Sequence, residues 1–561
     1  MQTMMNSQDH ASEIEHSSTL DSDWWRQAVV YQIYPRSFFD TDGDGLGDIK
    51  GITQKVSYLK DLGIDAVWLS PFYPSPLADG GYDVANYTDV DPRLGSLADF
   101  DELISELHKV GIRVFVDIVP NHSSSEHPWF KQALASQPGS PERSRYHFYD
   151  GSGENGELPP SDWPSFFAPS AWTRTQNSDG SLGQWYLHLF APEQPDFNWE
   201  HPDVPELFLQ ILKFWADRGV DGFRIDVAHA LKKDMSQPFR SYPVLREMET
   251  PLTGDGVFLD RNEVHEVYKS WRILFNEYNP PRVAVAEAYI RPERRVLYAS
   301  PDELGQAFNF DLLSSEFDAG EFRTVISKNL EFAAINASSS TWVLSNHDKP
   351  RHATKYGFAK IADADDWLLS SGESPVPDSA LGLARARAAT LLILALPGST
   401  YLFQGEELGL YEVADIPVDQ IQDPMWERSH HAAKGRDGCR VPLPWSANEK
   451  SFGFSSGTPH LPQPSGFGLF AADKQDRVSG STLEMYRNAI KIRKQILVGE
   501  SFSWIENPNS NVLHFQRENG WQCMTNFGSD SVPLPEGTLL IASTSESPEM
   551  LLPNTTVWVQ K

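Results

Sequence analysis

The chain repeats one pattern of hydrophobic and polar positions: an amphipathic helix, then a glycine, then a short apolar strand that ends in polar residues. In the first copy, apolar residues recur at helical spacing over 52–62, Gly63 follows, and an apolar run lies within 66–71. Helices that alternate with fully apolar strands are typical of a parallel sheet covered by helices. The pattern predicts an α/β fold whose closed form is an eight-fold (β/α)8 TIM barrel.

Three further copies and one additional strand extend this prediction. The helices are expected at 100–110, 207–215 and 264–274, and the strands at 114–118, 222–226, 283–286 and 341–344. A long insertion separates the second copy from the third. Beyond residue 500 the pattern changes to short strand-like runs separated by Gly, Asn, Pro and Ser, at 512–515, 521–524, 539–541 and 556–559. These runs predict a small antiparallel β domain at the C-terminal end.

Composition narrows the classes of function. The net charge of -30 argues against nucleic acid and an anionic membrane as partners, since both would repel the chain. No run approaches the roughly 18 apolar residues that a membrane span needs. Because Cys439 and Cys523 are the only cysteines, we expect no disulfide framework and a reducing, cytoplasmic location. Residues 1–20 are polar and acidic, unlike a signal peptide, and are predicted to form a disordered tail.

Polar residues follow the predicted strands at places where a core would not accept them. The set comprises Asn121 and His122 after strand 114–118, Arg224 and Asp226 at the end of 222–226, Glu287 after 283–286, and Asn346, His347 and Asp348 after 341–344. The carboxyl ends of barrel strands meet at one mouth, so these side chains are expected to converge there. One such residue could begin a solvated loop, but four strand ends together predict a site of chemistry.

Arg224 and Asp226 are two residues apart in a strand and therefore project from the same face. The guanidinium is expected to lower the pKa of the Asp226 carboxyl and keep it ionised, as a carboxylate nucleophile requires. Taken alone, the pair could equally be an ordinary structural ion pair.

The four strand-end segments resemble the signature regions of the alpha-amylase superfamily of glycoside hydrolases, and they occur in the same order. From about Trp24 to the C-terminus the chain is similar to the alpha-glucosidase and oligo-1,6-glucosidase branch, with further matches at 81–83, 194–199 and 404–407. The resemblance implies a barrel that is interrupted after its third strand and followed by a C-terminal antiparallel β domain. The implied domains are 21–121 and 194–495 for the barrel, 122–193 for the insertion, and 496–561 for the C-terminal domain.

The resemblance also implies roles for the residues at the motif positions. A retaining glycosidase needs an ionised carboxylate that attacks the anomeric carbon and a carboxylic acid that protonates the leaving oxygen. Asp226 matches the first role and Glu287 the second, where apolar neighbours favour the protonated form. Further residues are implied to contact the bound sugar. Asp348 would hold it, His122 and His347 would hydrogen-bond to it, and Tyr82 would stack on it. Asp83 and Arg440 would grip its terminal hydroxyls, with Arg436 as a close alternative to Arg440. Such a grip implies an exo-acting enzyme that works from the non-reducing end.

An acidic loop at 40–48 spaces its carboxylates like the start of an EF-hand calcium loop. It is not an EF-hand, because Gly51 occupies the twelfth position in place of the bidentate glutamate. The alternatives are a glycine-rich acidic turn and a structural Ca2+ or Mg2+ site; the resemblance implies the metal, and four carboxylates this close would otherwise repel. The predicted ligands are the side chains of Asp40, Asp42, Asp44 and Asp48 and the carbonyl of Leu46. No organic cofactor is expected.

Three functions remain open. The first is an alpha-glucosidase acting on short oligosaccharides of the maltose or isomaltose type. The second is a transglucosidase or isomerase acting on sucrose or maltose, in which a sugar instead of water intercepts the glycosyl-enzyme intermediate. The third is a non-catalytic, transporter-associated subunit, which the complete catalytic set and the lack of a predicted span disfavour. The oligomeric state is not predicted.

Val227 directly follows Asp226 and gives a hint about linkage. In the related branch, valine at this place accompanies activity on alpha-1,6 bonds. The continuation with Ala228 and His229 differs from typical 1,6-specific members. We therefore expect a mixed preference for alpha-1,4 and alpha-1,6 bonds.

Overall fold

Strands and helices alternate over most of the computed structural model, which describes residues 22–167, 169–177, 179–241, 250–496 and 499–561. In chain order the strands are β1 (Val29–Ile33), β2 (Ala66–Leu69), β3 (Arg113–Ile118), β4 (Phe148–Tyr149), β5 (Trp172–Gln176), β6 (Leu182–Leu187), β7 (Gly222–Ile225), β8 (Val283–Ala286), β9 (Gly305–Ala307), β10 (Thr341–Val343), β11 (Ser399–Phe403), β12 (Ser503–Trp504), β13 (Val512–Gln516), β14 (Trp521–Asn526), β15 (Thr538–Ala542) and β16 (Thr555–Gln560). The α-helices span Ile49–Gln54, Val56–Leu62, Leu97–Lys109, Pro128–Ala135, Asp203–Asp217, Val264–Phe275, Pro292–Tyr298, Ala319–Ile335, His352–Lys355, Asp363–Leu369, Ser379–Ala395, Met425–Arg428, Ala472–Gln475 and Thr482–Ile496. The predicted tail, 1–20, lies outside the described residues.

Eight of these strands form one parallel sheet in the order β10-β11-β1-β2-β3-β7-β8-β9. Apart from the excursion through β4, β5 and β6, neighbours in the sheet follow one another along the chain, as in a barrel. Every residue of β2, β7 and β8 is buried, which explains why these strands are almost continuous apolar runs. The predicted α/β barrel is confirmed.

The two end strands of this order, β9 and β10, meet through one side chain. The Thr341 hydroxyl donates to the Ala307 carbonyl at 2.9 Å and accepts from the Asn309 N–H at 2.8 Å. The other neighbouring strands of the barrel are joined by main-chain hydrogen bonds, whereas among the described residues this side-chain contact joins β9 to β10 and closes the barrel. We call it the seam.

The apolar pattern missed three barrel strands and merged two helices. β9 has the sequence Gly-Gln-Ala and offers no hydrophobic run, and neither β1 nor β11 was singled out. The single helix expected over 52–62 is wrong, because Lys55 leaves the helical conformation with φ -99° and ψ 8° and separates Ile49–Gln54 from Val56–Leu62. The end of the second helix is as predicted: Gly63 closes it with φ 87°, a conformation in which glycine lacks the steric cost of a Cβ.

Two antiparallel sheets accompany the barrel. Strands β4, β6 and β5 form a three-stranded sheet between β3 and β7, inside the stretch expected as an insertion. Strands β12-β13-β14-β16-β15 form the C-terminal sheet. The C-terminal sheet packs on helix Ser379–Ala395, where Trp558 Nε1 donates to the Leu391 carbonyl at 3.0 Å. Among the described helices, none is both long and apolar enough to cross a bilayer.

Candidate active site

Three carboxylates from three neighbouring strands surround one guanidinium at the mouth of the barrel. Arg224 Nη1 lies 2.6 Å from Asp226 Oδ1 and 2.8 Å from Asp117 Oδ1, and its Nη2 lies 2.8 Å from Glu287 Oε2. The register of the sheet brings them together, since Asp117 on β3 is paired with Arg224 on β7. The side chain of Arg224 is 2% exposed, so these charges interact with little screening by water.

The hydrogen bonds distinguish the two oxygens of each predicted catalytic carboxylate. Arg224 donates to Asp226 Oδ1, while Glu287 Oε2 accepts from the main-chain N–H of Val227 at 3.0 Å and forms an ion pair with Arg224 Nη2. Neither Asp226 Oδ2 nor Glu287 Oε1 has a hydrogen bond to the described residues. Val227 presents its N–H from a left-handed conformation with φ 43°, which is rare for a β-branched residue. The second oxygens of Asp226 and Glu287 are therefore the ones that a substrate can meet.

The protonation of this cluster differs from the expectation drawn from the sequence. Burial raises the pKa of Asp226; Arg224 opposes the rise, but Glu287 and Asp117 add to it. Burial also raises the pKa of Asp117 to about 7. The expectation of a lowered pKa for Asp226 is wrong because it left out burial, the largest cause, and because three carboxylates share the one guanidinium. The cluster therefore holds a proton more tightly than an isolated carboxyl group does.

Asp117 was not singled out from the sequence, although it lies at the centre of the site. Its carboxylate is fully buried and accepts hydrogen bonds at Oδ2 from Trp68 Nε1 and from the Tyr82 hydroxyl, both at 3.2 Å. The signal that could have found it is a charged residue inside an otherwise apolar strand, 114–118, which a core does not accept without a partner.

His347 and Tyr82, both predicted from motifs, lie against each other at the edge of the cluster. Their rings stack with centroids 5.3 Å apart and planes 4° apart. His347 Nδ1 lies 2.7 Å from Gln32 Nε2, which can only donate, so this nitrogen accepts and the proton is assigned to Nε2. Nε2 lies 2.5 Å from the Tyr82 hydroxyl and 3.3 Å from Asp348 Oδ2. Burial lowers the pKa of His347 to about 3, so the ring is neutral at pH 7.

Asp348, the third predicted carboxylate, contacts both candidate arginines. Its Oδ1 lies 3.0 Å from Arg440 Nη2 and 3.2 Å from Arg436 Nη1. Burial raises the pKa of Asp348, but nearby positive charges that include these two arginines outweigh it and hold the pKa well below its usual range. Arg440 is also fixed by the His347 carbonyl, which accepts from its Nε at 2.8 Å. Asp348 is therefore held ionised and immobile.

The structure contradicts the assignment of Asp83 as a sugar-gripping residue. Asp83 is 0% exposed, and its carboxylate accepts from the Ser75 hydroxyl at 2.8 Å and from two main-chain N–H groups of its own loop, those of Ala78 and Asp79. It fixes the loop and does not face the cavity. Burial raises its pKa to about 6 despite these hydrogen bonds.

Asp79, and not Asp83, pairs with one of the two candidate arginines. Its Oδ1 lies 2.5 Å from Arg436 Nη2, and its Oδ2 accepts from Gln194 Nε2 at 3.1 Å. The same Gln194 nitrogen lies 3.1 Å from His122 Nε2, which links the predicted histidine to this end of the site. The arginine that bridges Asp79 and Asp348 is Arg436, the alternative to Arg440. The motif 81–83 gives no indication of this aspartate, which lies in the loop before it.

A cavity of about 410 Å3 opens above the strand-end carboxylates. Its walls come from loops and from two short helices: Phe166, Phe167 and Phe190 from the insertion, Tyr289 after β8, Lys349 and Lys434 from later loops, Asp365, Leu368 and Leu369 from helix Asp363–Leu369, and Met425 from helix Met425–Arg428. Glu287, Asp348, Val227 and Arg436 line its inner end. We call the strand-end cluster around Arg224 and Asp348 the inner half of the site, and this cavity the outer half.

The acidic loop lies apart from these residues. Ligand oxygens of Asp40, Asp42 and Asp48 lie within 4.8 Å of one another, whereas Asp44 is not in this group among the described residues. Asp48 Oδ1 also accepts from the Gly51 N–H at 2.7 Å and caps the helix that follows. Three of the four predicted carboxylates therefore converge, and such oxygen donors suit a hard cation.

Known proteins resemble this chain along most of its length. The sequence matches the family model described as alpha amylase, catalytic domain, over residues 32–500. A probable alpha-glucosidase of Rhizobium meliloti (strain 1021) is 35% identical over 533 residues, 91% of this chain and 90% of that protein. The trehalose-6-phosphate hydrolase of Escherichia coli (strain K12) is 34% identical over 536 residues, covering 90% and 89%. The oligo-1,6-glucosidase of Parageobacillus thermoglucosidasius is 31% identical over 548 residues, 91% of each chain.

Solved structures agree in fold. An alpha-glucosyl transfer enzyme, XgtA, superposes with a TM-score of 0.80 at 32% identity and covers 96% of this chain and 99% of that one. A mutant isomaltulose synthase from Erwinia rhapontici NX5, in complex with sucrose, has a TM-score of 0.81 at 28% identity, with coverage of 96% and 99%. The resemblance drawn from the motifs is confirmed, and this chain belongs to the alpha-amylase catalytic-domain family of glycoside hydrolases.

Proposed function

We propose that this protein is a retaining, exo-acting alpha-glucosidase that releases terminal glucose from short alpha-linked oligosaccharides through a covalent glucosyl-enzyme intermediate. The observation that carries the proposal is that one guanidinium, Arg224, holds one oxygen of Asp226 and one of Glu287. Relatives described as a probable alpha-glucosidase and an oligo-1,6-glucosidase support the substrate class.

The close placement of Asp226 and Glu287 favours retention of configuration. Two carboxylates bound by the two terminal nitrogens of one guanidinium are near neighbours. Retaining enzymes need a separation of about 5 to 5.5 Å, whereas inverting enzymes leave room for a water at roughly 6.5 to 9.5 Å. In the first step, Asp226 Oδ2 bonds to the anomeric carbon while the glycosidic C–O bond breaks and Glu287 Oε1 gives its proton to the leaving oxygen. In the second, Glu287 takes a proton from water, whose oxygen replaces Asp226 on that carbon.

The shared proton of the cluster supports this division of roles. The three carboxylates around Arg224 together retain a proton near neutral pH, as the raised pKa values of Asp226 and Asp117 indicate. The first step needs that proton on Glu287 Oε1 and an ionised Asp226, and the positive charge that develops at the anomeric carbon in the transition state favours ionisation of the nucleophile.

The far end of the inner half supports exo action. Arg436 bridges Asp348 and Asp79, and Gln194 connects Asp79 to His122, so this end is closed by hydrogen-bonding side chains. A terminal sugar can satisfy these groups with its hydroxyls, whereas an internal residue of a longer chain has no exit there.

Product analysis tests the proposal. Purified protein is incubated with maltose, isomaltose, sucrose and trehalose, and products are followed by chromatography and by NMR of the anomeric protons. Release of glucose that appears first as the alpha anomer is expected. First appearance of beta-glucose would contradict retention, and no release from any of the four sugars would contradict the proposed activity.

A transglucosidase or sucrose isomerase is the second candidate. The observation that favours it is structural, since the similar structures include an alpha-glucosyl transfer enzyme and an isomaltulose synthase. Aromatic side chains of the outer half, Phe166, Phe167, Phe190 and Tyr289, offer surfaces on which an acceptor sugar can compete with water. In the same product analysis, new disaccharides in excess over free glucose identify this activity.

We further propose that the acidic loop binds a structural Ca2+ or Mg2+. Asp40, Asp42 and Asp48 would hold it, with Asp44 and the carbonyl of Leu46 in the same loop as additional oxygen donors. The cation would neutralise the loop and stabilise the fold, and no step of the reaction involves it.

Chelation tests the cation site. A cation that binds only the folded state at about 100 times its Kd contributes about 2.7 kcal/mol of stability. We expect a chelator to lower the melting temperature of the wild type and to have less effect on Asp42→Asn, with Asp419→Asn, an exposed carboxylate elsewhere, as the matched control. An unchanged melting curve, with no metal found by elemental analysis, would remove the site.

A further inference from the structure

Two lysines in the wall of the outer half lack ion pairs within the part of the chain that the structure describes. Lys349 directly follows Asp348 and is half-buried, with Nζ 5.9 Å from the centroid of the Tyr289 ring. Lys434 is buried at 9% exposure, and its Nζ donates to the Ser371 hydroxyl at 3.0 Å. This is unusual in a chain with 77 acidic and 47 basic residues, where carboxylates outnumber the cations.

Apart from Asp365, the other charged side chains that line the cavity form ion pairs within the protein. Glu287 is bound to Arg224, and Asp348 is bound to Arg436 and Arg440. Arg436 is in turn shared with Asp79 and Asp423. His229, also in the wall, is neutral at pH 7, because burial lowers its pKa to about 3.

Two exposed carboxylates belong to the surroundings of the outer half. Asp365 lines the cavity, and Asp415 acts on Lys434 at longer range. Both side chains are exposed, so water screens them, and neither forms an ion pair with the lysines among the described residues. The outer half therefore presents two partly desolvated ammonium groups whose charge the protein does not neutralise by contact.

We propose that the outer half binds the anionic group of a charged leaving sugar, a phosphate or a carboxylate, through Lys349 and Lys434. This inference rests on the proposed glucosidase function and names the class of its substrate. The glucose released is neutral and occupies the inner half, whereas the anion remains on the leaving group. The aromatic rings of the outer half contact the sugar ring that carries the anion, and the ammonium groups donate hydrogen bonds to its oxygens.

Matched pairs of neutral and anionic disaccharides test the proposal. Trehalose and trehalose 6-phosphate form the phosphate arm, and maltose and alpha-glucosyl-(1→4)-glucuronate, which keeps the second sugar ring, form the carboxylate arm. The readout is the ratio of kcat/KM for the anionic member to that of its neutral parent, so general effects on turnover cancel. At least one ratio is expected to exceed tenfold in the wild type, and the arm in which it does identifies the anion.

Variants connect this preference to the lysines. Lys349→Gln and Lys434→Gln are each expected to lower the ratio at least fivefold, and Lys349→Glu to lower it further. Lys360→Gln is the matched control, since Lys360 is exposed and does not line the cavity. Because Lys434 is buried, Lys349→Gln is decisive if the Lys434 variant does not fold. Ratios at or below one in both arms, or ratios equal in wild type and Lys349→Gln, would overturn the proposal.

Binding separates this proposal from the proposed activity. Hydrolysis of 4-nitrophenyl alpha-glucoside, a neutral substrate, reports on the glucosidase alone. Isothermal titration of the four disaccharides into Asp226→Asn, with and without Lys349→Gln, gives the anionic-to-neutral ratio of affinities without turnover. Tighter binding of an anionic sugar that Lys349→Gln abolishes supports the anionic subsite even if the enzyme transfers glucose instead of hydrolysing; equal binding of the paired sugars contradicts it.

Discussion

The inner and outer halves of the site differ in where their residues come from and in how their charges are balanced. The inner half is built at strand ends, and each of its ions is bound to an opposite charge, as Arg224 is to Asp117, Asp226 and Glu287. The outer half is built from loops and two short helices, and its Lys349 and Lys434 form no ion pair with the residues that the structure describes. Ion-paired side chains in the inner half suit a neutral sugar held in one orientation, whereas the unpaired lysines of the outer half would favour an anionic leaving group. In the two proposals above, the reaction and the preference for a leaving group therefore belong to different parts of the fold.

The largest effect is expected from Asp226→Asn. Removing the nucleophile should lower kcat on the order of 10^4-fold or more for every alpha-glucoside, because each of them must form the same bond to Asp226. Melting temperature should change little, since the shape and the contact to Arg224 Nη1 are kept. Near-wild-type turnover by this variant would reject the nucleophile assignment.

Glu287→Gln should separate substrates by leaving group. General acid catalysis is worth about 10^2 to 10^4-fold, and an aryl leaving group needs little of it. We therefore expect a loss of that size for maltose and a much smaller loss for 4-nitrophenyl alpha-glucoside, measured as kcat/KM at one pH. Equal losses on both substrates would exclude Glu287 as the acid.

Asp79→Asn and Asp83→Asn form a matched pair that tests the corrected assignment. Loss of the charged hydrogen bond between Asp79 and Arg436 should lower kcat/KM roughly 30- to 150-fold, the equivalent of about 2 to 3 kcal/mol, with stability nearly unchanged. Asp83→Asn should instead destabilise the fold by about 1 to 3 kcal/mol, because one amide oxygen replaces a carboxylate with three donors. The reverse outcome, in kinetics and in denaturant unfolding, would restore Asp83 as the gripping residue.

Much of the inner half was predictable because two regular features fix it. Side chains two residues apart in a strand lie on the same face, which places Arg224 beside Asp226. Parallel strands run in one direction, which brings Asp226, Glu287 and Asp348 to the same end of the barrel. The charge balance around Arg224 was not predictable, because it depends on Asp117. Asp117 is distant in sequence, and the register of β3 against β7 places it beside Arg224. In the same way, Asp79 and Asp83 lie four residues apart in one loop, and only the path of that loop decides which carboxylate reaches Arg436.

Val227 lies between the two halves of the site, and its substitution is expected to change the preference between isomaltose and maltose more than the overall rate. Val227→Thr keeps the β-branched shape in a position with φ 43°, so strain is unchanged and the effect reports on polarity and contact alone. The ratio of kcat/KM for isomaltose to that for maltose should fall up to about tenfold, within the 1 to 3 kcal/mol of a single pocket side chain. Wild-type protein that ignores isomaltose, or an unchanged ratio, would show that Val227 is not the determinant.

The smallest expected effect is a shift in the pH dependence of kcat/KM. Activity requires the cluster proton, so kcat/KM should fall as pH rises and the cluster loses it; burial raises the pKa of Asp117 to about 7 and contributes to that limb. Asp117→Asn removes one negative charge beside Asp226 and Glu287, so the remaining carboxyl groups release the proton more easily and the alkaline limb should move to lower pH. A limb that stays in place or moves upward would show that the cluster does not titrate as a unit.

The seam has a consequence for how activity is lost on heating. At the contact of β9 with β10, the side chain of Thr341 makes the connection, so a local opening there breaks fewer main-chain hydrogen bonds than at other strand pairs. β10 leads into Asp348, and β9 lies beside β8, which leads into Glu287. Opening of the seam would therefore move the acid away from the sugar-holding carboxylate while Asp226 stays beside β3. Inactivation on heating would then precede global unfolding. Amide hydrogen exchange along β9 and β10 would follow the opening of the seam and so report on inactivation.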